Sequence, residues 1–196
     1  MTQMPNTLPM RLFLALELGD AILGELAAAI APLREAAPEL AWTRDEQRHL
    51  TLKFFGSVEP ERLDGIVQMT ETIARTHRPF AMEIGGVGAF PNFRRARVVW
   101  VGVEHEARLE LLHHDVEVAA AELGFEIEGR PFRPHVTLAR TRTPEPEDRV
   151  RRLARAAKAV DFGASVTVAE MVLFESVVAP GGAQYRQVHV ANLGGR

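Results

Sequence analysis

Along this chain, short apolar runs of strand length alternate with stretches whose apolar residues recur every three or four positions. Arg11 to Glu17 reads as a buried strand. Asp20 can cap the helix that follows, where Ile22, Leu23, Leu26, Ile30 and Leu33 share one face, and Pro32 should kink or end it. Trp42 to Arg44 suits a short strand, and Asp45 to Arg48 a turn. From His49 to Gly56 polar and apolar residues alternate, which sets Leu50, Leu52 and Phe54 toward a core and His49 and Thr51 on the other face. Ser57 and Pro60 then open a helix with a core stripe of Leu63, Ile66, Val67, Thr70 and Ile73. Phe80 to Ile84 returns to extended chain. The glycine-rich segment 85–92 reads as a bulged strand and loop, because it lacks the spacing of a phosphate-cradling glycine loop.

The second half repeats this order. Val98 to Val103 is a near-continuous apolar run, as a central strand requires. A helix with Leu109, Leu112, Val116, Ala119 and Leu123 inward should end at Gly124. His113 and His114 are neighbours on it, lack the spacing of a helical metal pair and are expected at the surface. Phe125 to Glu128 reads as a short strand, and Gly129 to Pro134 leads into His135-Val136-Thr137-Leu138, a second alternating strand. Pro144 and Pro146 open a last helix with Val150, Leu153, Ala154 and Ala157 inward. Strands at 162–168, 171–178 and 185–191 complete the pattern, the last two joined by a Pro180-Gly181-Gly182 turn.

Three elements recur at one offset. His49-Leu50-Thr51-Leu52 lies 86 residues before His135-Val136-Thr137-Leu138, and the same distance separates the strands starting at Arg11 and Arg97, and those at Phe80 and Val166. Two units of this length do not make a solenoid. They imply two similar lobes within one domain spanning residues 1–196, each giving one His-x-Thr pair to a shared cleft.

Composition narrows the chemistry. With 196 residues, 46% of them hydrophobic, the chain has the size of one ordinary domain. A net charge of −3 argues against a broad non-specific nucleic-acid surface but leaves room for a few arginines on one phosphate. Arg94, Arg95 and Arg97 form one such cluster, with a solvated loop as an equal alternative. The absence of cysteine removes disulfides, thiolate nucleophiles and cysteine-based zinc sites. No signal peptide or membrane span is apparent, so a cytoplasmic location with no membrane association is expected, and no obligate protein partner is evident.

Histidine can serve as acid in one copy and base in the other near neutral pH. A facing pair suits in-line displacement at phosphorus, where the attacking oxygen loses a proton and the leaving oxygen gains one. Thr51 and Thr137 could donate hydrogen bonds to non-bridging oxygens, and Arg140 could bind two at once. A regular strand would put Arg140 on the face opposite His135, so its role requires a bulge or twist at the strand end. No carboxylate cluster or multi-histidine spacing suggests a metal, so neither metal nor cofactor is expected.

At these residues the chain resembles the two-histidine (2H) phosphoesterases. Within them it is most similar to the RNA 2′,3′-cyclic phosphodiesterases first described as 2′-5′ RNA ligases. The resemblance runs through Arg11-Leu12-Phe13, 49–56, Gly88-Ala89-Phe90-Pro91 and 130–140. It implies a bilobal α+β fold with pseudo-two-fold symmetry, antiparallel sheets lining a central cleft and helices outside. It also implies hydrolysis of a terminal 2′,3′-cyclic phosphate on RNA to a 2′-phosphate. In that assignment His49 is the proton donor to O3′, His135 the proton acceptor from water, and Thr51, Thr137 and Arg140 hold the phosphate. Phe13 would stack on a base or wall the cleft, with a core role as its alternative. Reversal would give a weak, ATP-independent 2′-5′ ligase. A non-catalytic RNA-end or nucleotide-binding module is the main alternative, and a metal-dependent hydrolase with histidine ligands a third.

Overall fold

The computed structural model describes residues 8–141, 146–180 and 182–194. The elements follow in chain order: β1 (Met10–Glu17), α1 (Asp20–Ala29), α2 (Ala31–Ala36), β2 (Ala41–Trp42), β3 (His49–Val58), α3 (Leu63–Thr76), β4 (Phe80–Phe90), β5 (Val98–Val103), α4 (Ala107–Glu122), β6 (His135–Arg140), α5 (Glu147–Lys158), β7 (Gly163–Val168), β8 (Glu170–Ala179) and β9 (Gly182–Asn192). The expected opening of the last helix at Pro144, and Gly181 in the turn before the last strand, lie outside the described residues.

Pro32 acts as its chemistry dictates, since α1 stops at Ala29 and α2 restarts with the proline in its first turn. Asp20, expected as a cap, is instead the first residue of α1. The capping position is Gly19, at φ 78°, a value that favours glycine.

Among the described residues the strands form one antiparallel α+β sheet, strongly curled, in the order β7-β4-β5-β6-β3-β1-β8-β9, with the short β2 also on β6. The two sheets of the lobes are therefore continuous, meeting where Leu50 of β3 pairs with Val136 of β6. The lobes are not the two halves of the sequence. β4 comes from the first half yet pairs with β5, and β8 comes from the second half yet pairs with β1. Each half thus closes the sheet begun by the other.

The main core lies between this sheet and the helices: Leu12, Leu14 and Leu16 of β1, Leu50 of β3 and Val136 and Leu138 of β6 meet Leu26, Ile66, Leu109 and Val116. A second, small apolar cluster of Phe13, Ala15, Val172 and Phe174 sits apart from it. Since Phe13 and Ala15 alternate with Leu12, Leu14 and Leu16 along β1, the small cluster occupies the opposite, concave face.

Phe125 to Glu128 does not form the expected strand. Its backbone is taken by side chains: Lys53 Nζ donates to the Glu126 carbonyl at 2.5 Å, and the Glu128 N–H donates to Glu117 at 2.9 Å. Lys53 and Glu117 also pair at 2.8 Å, both nearly fully buried. His113, expected at the surface, is half-buried and stacks on Phe132 with ring centroids 3.7 Å apart, whereas His114 is exposed. This buried assembly anchors the irregular segment leading to His135. Replacing Lys53 with Met strands the Glu117 carboxylate in the core, and we expect a loss of about 3–5 kcal/mol, read from the denaturant midpoint. Adding Glu117→Gln should recover part of that loss.

Candidate active site

β3 and β6 lie side by side through the Leu50–Val136 pair. Their antiparallel direction sets His49 on the Thr137 side and Thr51 on the His135 side, so each imidazole has the other strand's hydroxyl for a neighbour. Val136, Leu138, Leu50 and Leu52 fill the core behind them.

Both strands then bulge at equivalent points. Between β1 and β3, Leu14 pairs with Lys53 but Ala15 with Thr51, leaving Leu52 as the extra residue. Between β5 and β6, Val99 pairs with Ala139 but Trp100 with Thr137, leaving Leu138 as the extra residue. Each bulge reverses the strand's parity. Leu52 and Lys53 are consecutively buried, as are Leu138 and Ala139. The next residue in each strand returns to the cleft. That residue is Arg140 in β6, which meets the requirement set by the sequence, and Phe54 in β3. Phe54, expected in the core, is 66% exposed and lines the cleft.

His49, Thr51, His135, Thr137 and Arg140 line one cleft together. Four residues not singled out from the sequence as site residues join them: Thr43, Gln47, Phe54 and Tyr185. Phe13 is not a lining residue. It is 2% exposed and stacks against both His49, at 4.8 Å, and Phe174, at 5.3 Å, whose own ring centroids lie 6.2 Å apart. Tyr185 stands edge-on to both Phe13 and His49, at 4.9 and 5.4 Å. Arg94, Arg95 and Arg97 do not line the cleft, whereas Arg140 does, and it forms no ion pair among the described residues.

The two imidazoles are held alike. Nδ1 of His49 lies 2.9 Å from the Gln47 carbonyl, and Nδ1 of His135 lies 2.8 Å from the Arg133 carbonyl. A carbonyl can only accept, so Nδ1 carries the hydrogen in both rings and Nε2 is left to exchange a proton. Burial pushes the His49 pKa down to about 4; the carbonyl bond opposes this, and the charges of Arg140 and His135 add to it. Burial and Arg140 also lower that of His135, again against its carbonyl bond. Arg140 therefore acts electrostatically on both rings, as a cation near both must. Among the described residues no three His, Asp or Glu side chains gather as metal ligands.

A curled antiparallel α+β sheet that presents two His-x-Thr strands to one cleft defines a two-histidine phosphoesterase architecture. The chain belongs to the 2′-5′ RNA ligase superfamily, whose family model matches residues 23–178. It is 32% identical to an RNA 2′,3′-cyclic phosphodiesterase of Methanothermobacter thermautotrophicus over 93% of this chain and 98% of the relative. It is 33% identical to the enzyme of that name from Archaeoglobus fulgidus, covering 92% and 99%. Among solved structures it is similar to TT0787 of Thermus thermophilus, with a TM-score of 0.75, 29% identity and coverage of 95% and 99%. E. coli LigT complexed with 3′-AMP gives a TM-score of 0.75 at 27% identity, covering 94% and 98%. No helix of the described residues is long and apolar enough to cross a membrane.

Proposed function

We propose that this chain is a cytoplasmic RNA 2′,3′-cyclic phosphodiesterase that hydrolyses a terminal cyclic phosphate to a 2′-phosphate. The observation that carries this reading is the matched pair of imidazoles, each with Nδ1 on a carbonyl two residues back and Nε2 free, around two threonines and one arginine. The Methanothermobacter and Archaeoglobus relatives, which bear this activity as their name, match more than nine-tenths of the chain. Residues 1–196 are proposed to act as one domain, since each half completes the other's sheet.

His135 Nε2 accepts a proton from water as the water oxygen attacks phosphorus, and His49 Nε2–H delivers a proton to the departing O3′. Thr51 and Thr137 hydrogen-bond the non-bridging oxygens, and the Arg140 fork neutralises their charge. No metal takes part, and weak 2′-5′ ligation is the same displacement with a 5′-hydroxyl in place of water.

The lowered pKa of His49 has a kinetic consequence. With a pKa of about 4, His49 is neutral at pH 7 until an anion joins it. A phosphodiester beside the ring favours the imidazolium, so the proton is taken up with the substrate. The pH profile of kcat/KM follows the free enzyme and that of kcat the substrate complex. Both imidazoles titrate below 6.5 in the free protein, so the kcat/KM bell is expected on the acid side of 6.5 and the kcat bell at higher pH. Coincident profiles would count against charge-coupled proton uptake.

The direct test is product analysis with an oligonucleotide ending in a 2′,3′-cyclic phosphate, with and without EDTA. Equal turnover in both, yielding the 2′-phosphate, is expected. A 3′-phosphate would make O2′ the leaving oxygen, chelator sensitivity would overturn the metal-free mechanism, and no turnover would leave the binding-module alternative.

A further inference from the structure

Gln47 makes contacts that its counterpart in the other repeat does not. Its main-chain carbonyl holds Nδ1 of His49, as the Arg133 carbonyl holds that of His135. Its side chain binds a different element, the hairpin of β8 and β9. Nε2 donates to the Ala183 carbonyl at 2.5 Å, and Oε1 accepts from Nε of Arg44 at 3.2 Å. Nη2 of Arg44 donates to the same Ala183 carbonyl at 3.1 Å. Two side chains just before His49 thus grip one carbonyl of β9. The Arg133 side chain forms no hydrogen bond or ion pair among the described residues.

The grip matters because that end of the hairpin overhangs the sheet. β8 pairs with β1 from Val172 to Glu175, whereas β8 and β9 go on pairing with each other from Ser176–Tyr185 to Ala179–Gly182. β9 is the last strand of the sheet, and Val177 and Val178 of the overhang are exposed. A two-stranded ribbon without a packed face is marginal by itself, so its position depends on what ties it down. Among the described residues, the hydrogen bonds that join the overhang to the rest of the chain come from Gln47 and Arg44. Tyr185 lies two residues past the gripped carbonyl.

The two imidazoles are therefore enclosed unequally. Phe13, Phe174 and Tyr185 lie against His49 at 4.8, 6.2 and 5.4 Å, whereas Phe90, at 5.0 Å, is the one ring against His135 among the described residues. Phe13 and Phe174 lie where β1 and β8 pair, but Tyr185 is present only while the overhang is held. We propose that Gln47 is a positioning residue for His49: its carbonyl fixes the tautomer of the ring, and its side chain clamps the β8–β9 hairpin so that Tyr185 walls that ring from water. This rests on the hydrolase reading for what His49 does there, which is to hand a proton to O3′. An imidazolium kept from water holds its proton less firmly and is the stronger acid once charged. One residue thereby sets both which nitrogen of His49 delivers the proton and how readily it does so.

Gln47→Ala keeps the carbonyl and removes the clamp, whereas Tyr185→Ala keeps the clamp and removes the wall. Neither changes the charges that act on the ring, those of Arg140 and His135 from β6. NMR titration of each imidazole in the free protein reads the outcome. The His49 pKa should rise from about 4 toward the ordinary 6.5 in both variants, and that of His135 should not rise. The double variant should titrate as Tyr185→Ala does, because both changes act through one ring. With an oligonucleotide ending in a 2′,3′-cyclic phosphate, Gln47→Ala should lower kcat about ten-fold, well short of the loss of the histidine itself. An unmoved His49 pKa in Gln47→Ala, a rise in both imidazoles together, additive shifts in the double variant, or wild-type kcat in Gln47→Ala would each overturn the proposal. Absence of turnover in the wild-type protein sinks the hydrolase reading instead, since the titration needs no substrate and still decides the clamp.

Discussion

His49→Ala and His135→Ala should each lower turnover by roughly 10²–10⁴-fold, the scale of one general acid or base. The fold should survive both changes. Each imidazole is partly exposed in the cleft, and its hydrogen bond goes to a carbonyl at the entry of its own strand. Unchanged thermal midpoints would confirm that the loss is chemical. The two variants are then distinguished by leaving group. A substrate with a much better 3′ leaving group needs little protonation, so it should rescue His49→Ala far more than His135→Ala. Rescue in the opposite sense exchanges the two roles. Failure to rescue either variant makes both rings positioning groups, and near-normal activity in either sinks the two-histidine mechanism.

Arg140→Ala should cost roughly 10²–10³-fold in kcat, as removal of one preorganised donor to a charged transition state does. Arg140→Lys keeps the cation but not the fork, so it should fall between the wild-type protein and the alanine variant. A second readout is independent of phosphate contact. The charge of Arg140 lowers the pKa of both imidazoles, so Arg140→Ala should move the kcat/KM profile to higher pH. Lys at this position, still charged, should leave the profile nearly in place. Full activity in the lysine variant would reduce Arg140 to a distant counter-charge, and full activity in the alanine variant would remove it from the site.

The sequence made the two His-x-Thr strands legible because their information is local: a period of two, a polar pair on one face, and a common offset. It made Arg140 only conditionally legible. Strand parity put the residue on the wrong face, and the bulge at Leu138 that corrects it depends on pairing with β5, a partner about 40 residues away with no mark in the motif itself. The same ignorance misplaced Phe54, since the matching bulge at Leu52 depends on pairing with β1. Tyr185 and Thr43 reach the cleft from elements remote in sequence and carried no local signal. Gln47 did carry one: it precedes His49 by two residues, as Arg133 precedes His135. The Phe125–Glu128 segment looked like a strand because apolar and polar residues alternate there. Lys53 and Glu117 had already claimed its backbone groups from the core.

The paired bulges have a consequence for how a substrate can enter. Two identical lobes would offer a cyclic phosphate end two equivalent poses related by the pseudo-two-fold axis, one running opposite to the other. In the inverted pose each histidine would face the wrong oxygen, and the complex would be a dead end competing with the productive one. Phe54 and Arg140 stand 86 residues apart at equivalent positions, one neutral and apolar, the other cationic. An anion with a single charged oxygen pair can satisfy its guanidinium partner in only one of the two poses. In the proposed reaction the repeat supplies the two proton carriers, and the cleft-facing position at which its copies differ in charge would give that reaction its direction.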